Sequence, residues 1–332
     1  MLALRKLTPG FGVALAEAAA PQTPAPGDVL IEVEAAGICG SDLHIYDAKG
    51  SAYDFLWPRL PLTLGHEFCG RVVRLGAGAP AALLDRRVVA LPVGIGTQRD
   101  GCFAPWVTVP AAHCLPIPDT LDAELGALIE PLTVAHHAVA CAGIGPGQRL
   151  LVMGAGAIAQ GAALFARLAG ARQIVVTGHA DTHRFAVLRR MGFDTLVDRA
   201  EAGSEQRLAA LAGEGFDAVI EMTGVASTVD EGLGLLRRQG VLVATGIHPA
   251  PGAIDITRLV RRQLQLRGSY GNTREGWQQV IDTVAAHPAQ FAPLVTHRYA
   301  LRDGLQAFEA AYSRVATKAL LFPHAFETRT PR

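Results

Sequence analysis

From about Leu125 onward the chain alternates apolar runs with amphipathic ones, and this rhythm limits the possible folds more than any other feature. "RLLVMG", "RQIVVTG", "DTLVD", "FDAVIEMTG" and "GVLVATGI" are short apolar strands, separated by the helical "AIAQGAALFARLAG", "THRFAVLRRMG" and "TVDEGLGLLRR". Apolar strands interleaved with helices make βαβ units around a parallel sheet covered on both faces. Upstream, "DVLIEVEAAG", "FCGRVVRLG", "RRVVALPVG" and "APWVTVP" read as strands set between Gly and Pro, which describes a β-rich unit with irregular loops. The tail ("LVTHRYAL", "GLQAFEAAYSR", "KALLF") reverts to that character and is expected to complete the first unit. At 332 residues the chain is too long for one economical core. The expectation is therefore an α/β protein of two domains: a β-rich one over 1–124 and 291–332, and a doubly wound parallel sheet over 125–290.

The first strand of the second domain ends in "VMGAGAIAQG", where Gly154, Gly156 and Ala159 form G-x-G-x-x-A between strand and helix. That context makes the pattern a dinucleotide-binding signal. Gly154 allows the tight turn, and Gly156 lets a pyrophosphate approach the amides of a helix opened by Ala157 and Ile158. The third position needs only a small side chain. The second strand should end in a carboxylate if an NAD ribose is gripped there, yet "VVTGHADTHR" supplies Gly178 and His179, with Asp181 late and Arg184 beyond. This leans toward NADP over NAD, although His179 and Arg184 read equally well as a solvated helix start.

Thirty basic and thirty acidic residues cancel, so no net field recruits nucleic acid or an anionic membrane. The N-terminus is broken by Pro9 and Gly10 and carries Glu17, which fits neither a signal peptide nor a membrane span. Five cysteines, at 39, 69, 102, 114 and 141, include no Cys-x-x-Cys pair. An odd, unpaired set suits a reducing cytoplasm and no disulfide framework.

Two Gly-marked turns stand out: "GICGSDLH" with Cys39, and "GHE" with His66 and Glu67. A catalytic zinc takes about three ligands from Cys, His and carboxylate and keeps one position open. One of each type is present. A lone cysteine is more often only buried, but the combination upstream of a dinucleotide fold is harder to attribute to packing. His136 and His137 are adjacent on an apparent helix and point about 100° apart, so at most one could reach an ion.

With these motifs, and with "LPLTLGHEFCGRVVRLG", "LIEPLTVAHHAV", "GAGAIAQG" and "KALLFP" in order, the chain resembles the zinc-dependent medium-chain dehydrogenase/reductases over nearly its whole length. The resemblance is nearest to the polyol (sorbitol) and threonine dehydrogenase branches. It implies a GroES-like catalytic domain, a Rossmann domain and an active site in the cleft between them. It also implies zinc held by Cys39, His66 and Glu67, with Glu130 of "EPL" binding directly or through water. Zinc would lower the pKa of an alcohol, Ser41 would take the proton and His44 would release it to solvent, while hydride goes to the nicotinamide. Thr223, Gly246 and Ser269 match residues facing that ring, and each also reads as a plain loop residue.

Many relatives carry a four-cysteine lobe for a structural zinc where this chain has only "VGIGTQR". The expectation is one catalytic zinc and no structural one. Because that lobe builds subunit contacts in some relatives, its loss leaves open whether the expected homo-oligomer is a dimer or a tetramer. Cys69, Cys102, Cys114 and Cys141 are expected in the core or in strands. Tyr46, Phe55 and Trp57 are candidate pocket walls. No cluster suited to a phosphate or carboxylate group is evident, which suggests a neutral secondary alcohol such as a polyol or sugar. A β-hydroxy amino acid of the threonine type is the alternative. Readings from other classes are a non-catalytic NAD(P)-binding sensor and a zinc-free enoyl or quinone reductase.

Overall fold

The computed structural model describes residues 1–48 and 59–324. The chain divides into one unit formed by residues 1–130 and 281–332, and a second formed by 131–280.

The first unit opens with β1 (Leu2–Lys6) and β2 (Ala14–Glu17), followed by the long β3 (Asp28–Gly37) and helix α1 (Gly40–Asp47). Next come β4 (Leu62–Thr63), β5 (Glu67–Leu75), β6 (Arg87–Ala90), β7 (Trp106–Pro110), β8 (Cys114–Pro116) and α2 (Ala123–Ala127). Helix α3 (Ile129–Ala142) leads into the second unit.

There the strands are β9 (Arg149–Met153), β10 (Gln173–Gly178), β11 (Leu196–Asp198), β12 (Phe216–Glu221), β13 (Leu236–Ala244) and β14 (Gln265–Gly268). The helices between them are α4 (Ala157–Leu168), α5 (Thr182–Arg190), α6 (Ser204–Ala212), α7 (Ala226–Leu235) and α8 (Ile256–Arg262). Through α9 (Arg274–Ala286) and α10 (Pro288–Phe291) the chain returns to the first unit, which β15 (Val295–Ala300), α11 (Gly304–Tyr312) and β16 (Lys318–Phe322) complete.

In the second unit the strands lie in the order β11-β10-β9-β12-β13-β14, all parallel, so the winding reverses between β9 and β12. This is the doubly wound sheet expected from the strand–helix rhythm. Four of the five residues of β9 are buried, as a central parallel strand requires. Small side chains on α4 (Ala159, Ala162, Ala163 and Ala166) are all buried, as expected of a helix packed closely on a sheet. Helix α7 stops at Leu235, short of the expected "LLRR". Leu236 instead pairs in register with Phe216, and both side chains are wholly buried, so sheet packing overrides the helical pattern there.

The first unit is mostly antiparallel. Its larger sheet runs β15-β16-β3-β5-β6-β8 with β7 also on β3, and a small sheet β2-β1-β4 stands apart. Within this unit β16 pairs β3 at Leu321↔Ala36 and Leu320↔Gly37. The small sheet was not foreseen. Its pairings, such as Leu2↔Glu17 and Arg5↔Thr63, join segments too far apart for local pattern to link. No described helix is long and apolar enough to cross a membrane.

Candidate metal centre and dinucleotide site

Cys39 follows the end of β3 and serves as the N-cap of α1. His66 and Glu67 sit where the chain enters β5, just after Gly65, whose φ of +91° is a conformation that glycine adopts without strain. Since β3 and β5 pair antiparallel at Gly37↔Glu67, the register brings both turns to one end of the sheet. One donor atom each from Cys39, His66 and Glu67 lies within 4.8 Å of the others.

The surroundings fit a cation. Glu67 is 1% exposed, and its Oε1 is buried without a hydrogen-bond partner. Burial pushes the Cys39 thiol up, and the Glu67 charge pushes the same way. Burial also raises the Glu130 carboxyl to about 7, with Glu67 and Asp42 adding to the shift and His66 and Lys318 opposing it. At His66 burial works against protonation, but the charges of Cys39, Asp42 and Glu130 outweigh it and raise its pKa well above the ordinary value. A buried nest of competing acidic donors with an orphaned carboxylate oxygen is what a divalent ion would relieve. Glu130 feels the charges of this nest but is not one of the three clustered donors.

Two residues of this centre were not anticipated. Lys318, the first residue of β16, is buried with its Nζ 2.6 Å from Glu67 Oε2 and 3.0 Å from the Ile38 carbonyl. Its only sequence signal is a lysine opening the apolar run "KALLF". Asp42, buried at 1% exposure, accepts hydrogen bonds from the Cys39 amide (3.0 Å) and the Gly65 amide (3.2 Å). Its Oδ1 lies 3.9 Å from His66 Nδ1. The signal was available, because Asp42 stands three residues after Cys39 and closes a capping box on α1.

Ser41 and His44 lie one turn apart on α1, Ser41 half-buried and His44 exposed. Partial desolvation holds the His44 imidazole below its ordinary pKa, against an opposing pull from Asp47. Tyr46 is not a pocket wall. It is buried and packs against Phe11, Phe308 and Tyr312 at ring-centre distances of 4.7, 5.4 and 5.5 Å. Phe55 and Trp57 lie outside the described residues. His136 packs edge-on against Phe165, and His137 Nε2 lies 3.5 Å from Cys141 Sγ, so neither joins the metal cluster. Cys69, Cys102 and Cys114 are buried as expected, whereas Cys141 is a half-buried residue of helix α3.

In the second unit, Gly154 has φ +121° directly after β9, and Gly156 caps α4 with nothing within 4 Å of where a Cβ would stand. That space over a helix N-terminus fits a pyrophosphate. Ala157 and Ile158 form the first, half-buried turn of α4. Strand β10 ends at buried Gly178, followed by exposed His179. Arg184 is drawn to Asp181, with Nη1 and Oδ1 3.3 Å apart. Thr223, Gly246 and Ser269 follow the ends of β12, β13 and β14 at the same carboxyl edge of the sheet.

Residues 25–119 match the alcohol dehydrogenase GroES-like domain, and residues 157–286 match the zinc-binding dehydrogenase domain. The chain is 30% identical to L-threonine 3-dehydrogenase of Rhizobium johnstonii over 97% of its own length and 98% of that protein. The chain belongs to the zinc-dependent medium-chain dehydrogenases. Among solved members, 2R,3R-butanediol dehydrogenase from Bacillus subtilis superposes with a TM-score of 0.85 at 26% identity, covering 97% of this chain and 99% of that one. A zinc-binding dehydrogenase from Sinorhizobium meliloti 1021 bound to NADP does so with the same TM-score and coverage at 29% identity. This medium-chain dehydrogenase is therefore a zinc-dependent, NAD(P)-linked oxidoreductase of alcohols.

Proposed function

We propose that the enzyme oxidises a neutral secondary alcohol, a polyol or sugar-like compound, with Cys39, His66 and Glu67 as its zinc ligands and Glu130 binding directly or through water. The observation that carries this is the three-donor cluster, in which Glu67 turns one oxygen to Lys318 and leaves the other without a partner. Zinc held there would supply Lewis acidity to the alcohol oxygen. NAD(P) would accept the hydride.

The remaining roles belong to the chain itself. Asp42 fixes the two turns by accepting from their amides, and Lys318 orients Glu67 by taking up one of its oxygens. Ser41, one helical turn from His44, accepts the alcohol proton and passes it outward. Gly154, Gly156, Ala157 and Ile158 take the pyrophosphate. Thr223, Gly246 and Ser269 face the nicotinamide half. Gly178, His179 and Arg184 border the adenosine ribose; β10 itself ends in no acidic residue, and although the Asp181 carboxylate folds back onto the His179 amide (3.2 Å), the neighbouring Arg184 favours NADP.

A homo-oligomer, dimer or tetramer, is supported by edge strand β14, whose four residues are all exposed, beside exposed Ile256, Val260 and Tyr270. No structural zinc is expected, and an odd set of free cysteines suits the cytoplasm.

A threonine-type β-hydroxy amino acid is the second reading, favoured by the name of the Rhizobium relative. The test is metal analysis together with NAD and NADP reduction over polyols, simple secondary alcohols and threonine. Turnover of polyols well above that of threonine supports the proposal. A strong preference for threonine, or full activity in metal-free protein, overturns it.

A further inference from the structure

Glu221 ends β12, beside the point where the sheet reverses its winding, and it is completely buried. Its Oε1 is saturated, accepting from the Thr223 amide (2.7 Å), the Thr223 hydroxyl (2.5 Å) and the Thr228 hydroxyl (2.9 Å). Oε2 instead faces His248 Nε2 at 3.1 Å, an ion-pair distance without hydrogen-bond geometry, and neither atom has a hydrogen-bond partner among the described residues. Among the described residues, no other acidic side chain lies within ion-pair distance of that imidazole.

His248 belongs to the segment after β13, and the start of that segment is also fastened to Glu221. The amides of Thr245 and Gly246 both donate to the Glu221 carbonyl, at 2.9 and 3.0 Å. A Cβ on Gly246 would stand 2.5 Å from the Gly224 nitrogen and 2.8 Å from Glu221 Oε2, so the two loops touch backbone to backbone. Beside them, Thr245 Oγ1 and Ser269 Oγ are buried without hydrogen-bond partners. Unused polar atoms at the carboxyl edge of a doubly wound sheet mark where a ligand binds. A dinucleotide straddles the reversal, and its adenosine ribose belongs on the β10 side. The β12–β14 side is left for the nicotinamide half.

We infer that His248, acting through Glu221, is a positioning residue that holds the segment after β13 in place against the nicotinamide half of the cofactor. The inference rests on the dinucleotide reading. A carboxylate that binds the start of this segment by its backbone and a later residue by its side chain leaves the segment little freedom. The buried Thr245 and Ser269 hydroxyls are then presented at fixed positions.

The test compares full-length wild type, His248→Ala and His248→Gln by fluorescence titration with NADH and NADPH, by titration with ADP as an adenosine-half probe, and by thermal melting without cofactor. In His248→Ala, binding of the reduced cofactor is expected to weaken roughly tenfold with a smaller emission enhancement, since the buried Glu221 carboxylate loses the group that faces its Oε2. ADP affinity and the melting temperature should stay near wild type. Glutamine, whose amide nitrogen can stand in for Nε2, should restore most of the affinity. Unchanged reduced-cofactor binding in His248→Ala overturns the inference, as does an equal loss of ADP binding, which would mean general damage. Failure of the wild type to bind either cofactor would overturn the dinucleotide reading and this inference with it.

Discussion

Lys318 Nζ lies 2.6 Å from Glu67 Oε2, and both side chains are buried, so the last strand of the first unit begins against the carboxylate of the candidate metal cluster. Among the described residues Lys318 is the one lysine in this nest of acidic donors, and burial alone would lower its pKa. The charges of Glu67, Cys39 and Glu130, with the hydrogen bond to Glu67, outweigh burial and raise it. Replacing it with methionine keeps the volume but leaves Glu67 charged and uncompensated. Breaking a buried pair from one side costs about 3–5 kcal/mol. Lys318→Met should therefore lose stability on that scale in chemical denaturation of the zinc-free protein, and Lys318→Arg much less. Equal stability of Lys318→Met and wild type would show that the pair does not hold Glu67.

Cys39→Ala removes a soft ligand from the cluster without touching the second unit. Zinc content by elemental analysis should fall to a small fraction of wild type, and alcohol oxidation should fall below detection. NADPH binding, followed by fluorescence, should remain within about threefold, since the proposed dinucleotide-binding residues lie on another sheet. Retained turnover in this variant would contradict the ligand role.

Asp42→Asn leaves every proposed zinc donor in place while removing the carboxylate that accepts from both turn amides and faces His66. Residues that orient metal ligands typically change metal affinity 10–100-fold when altered. The zinc dissociation constant from chelator competition should rise by roughly that factor. An unchanged constant would reduce Asp42 to a helix cap.

The parts of this centre that could be read beforehand were those with a local signature. Cys39, His66 and Glu67 each sit in a glycine-marked turn, and G-x-G-x-x-A announced the cofactor edge. Lys318 could not be found that way, because its partner lies 251 residues earlier and only the pairing of β16 with β3 brings the two together. The same reason hid β1 and β4, whose contacts are non-local. The end of α7 has no local signal, because the helical pattern continues through Leu236 and only the neighbouring Phe216 reveals that this leucine belongs in a sheet. A tyrosine near a site motif looks the same in sequence whether it lines a pocket or, as Tyr46 does, packs in a core.

Cofactor choice has its own test at Arg184. Its guanidinium leans on Asp181, whose other carboxylate oxygen accepts from the His179 amide (3.2 Å) just past the end of β10, so Arg184 and Asp181 both border that edge. Arginine meets a phosphate with paired, charge-assisted hydrogen bonds. Arg184→Ala should raise the KM for NADP by about tenfold while leaving that for NAD within about twofold. Equal effects on both cofactors would remove Arg184 from the 2′-phosphate site.

The pH profile tests the relay. Neutral His44 is the form that can accept a proton from Ser41, and partial desolvation of its ring holds its pKa below the ordinary value of about 6.5. As the pH falls through that lowered pKa the imidazole becomes protonated and can no longer accept, so kcat for oxidation should decline only below the usual histidine range. Above it, His44 stays neutral and imposes no limit. His44→Gln removes the titrating group and should lower kcat across the range while abolishing the His44-dependent part of the acid limb. Measuring kcat between about pH 5 and 8, in a buffer too bulky to enter the site, reads this directly. If His44→Gln keeps the wild-type rate and acid limb, the proton leaves by another route.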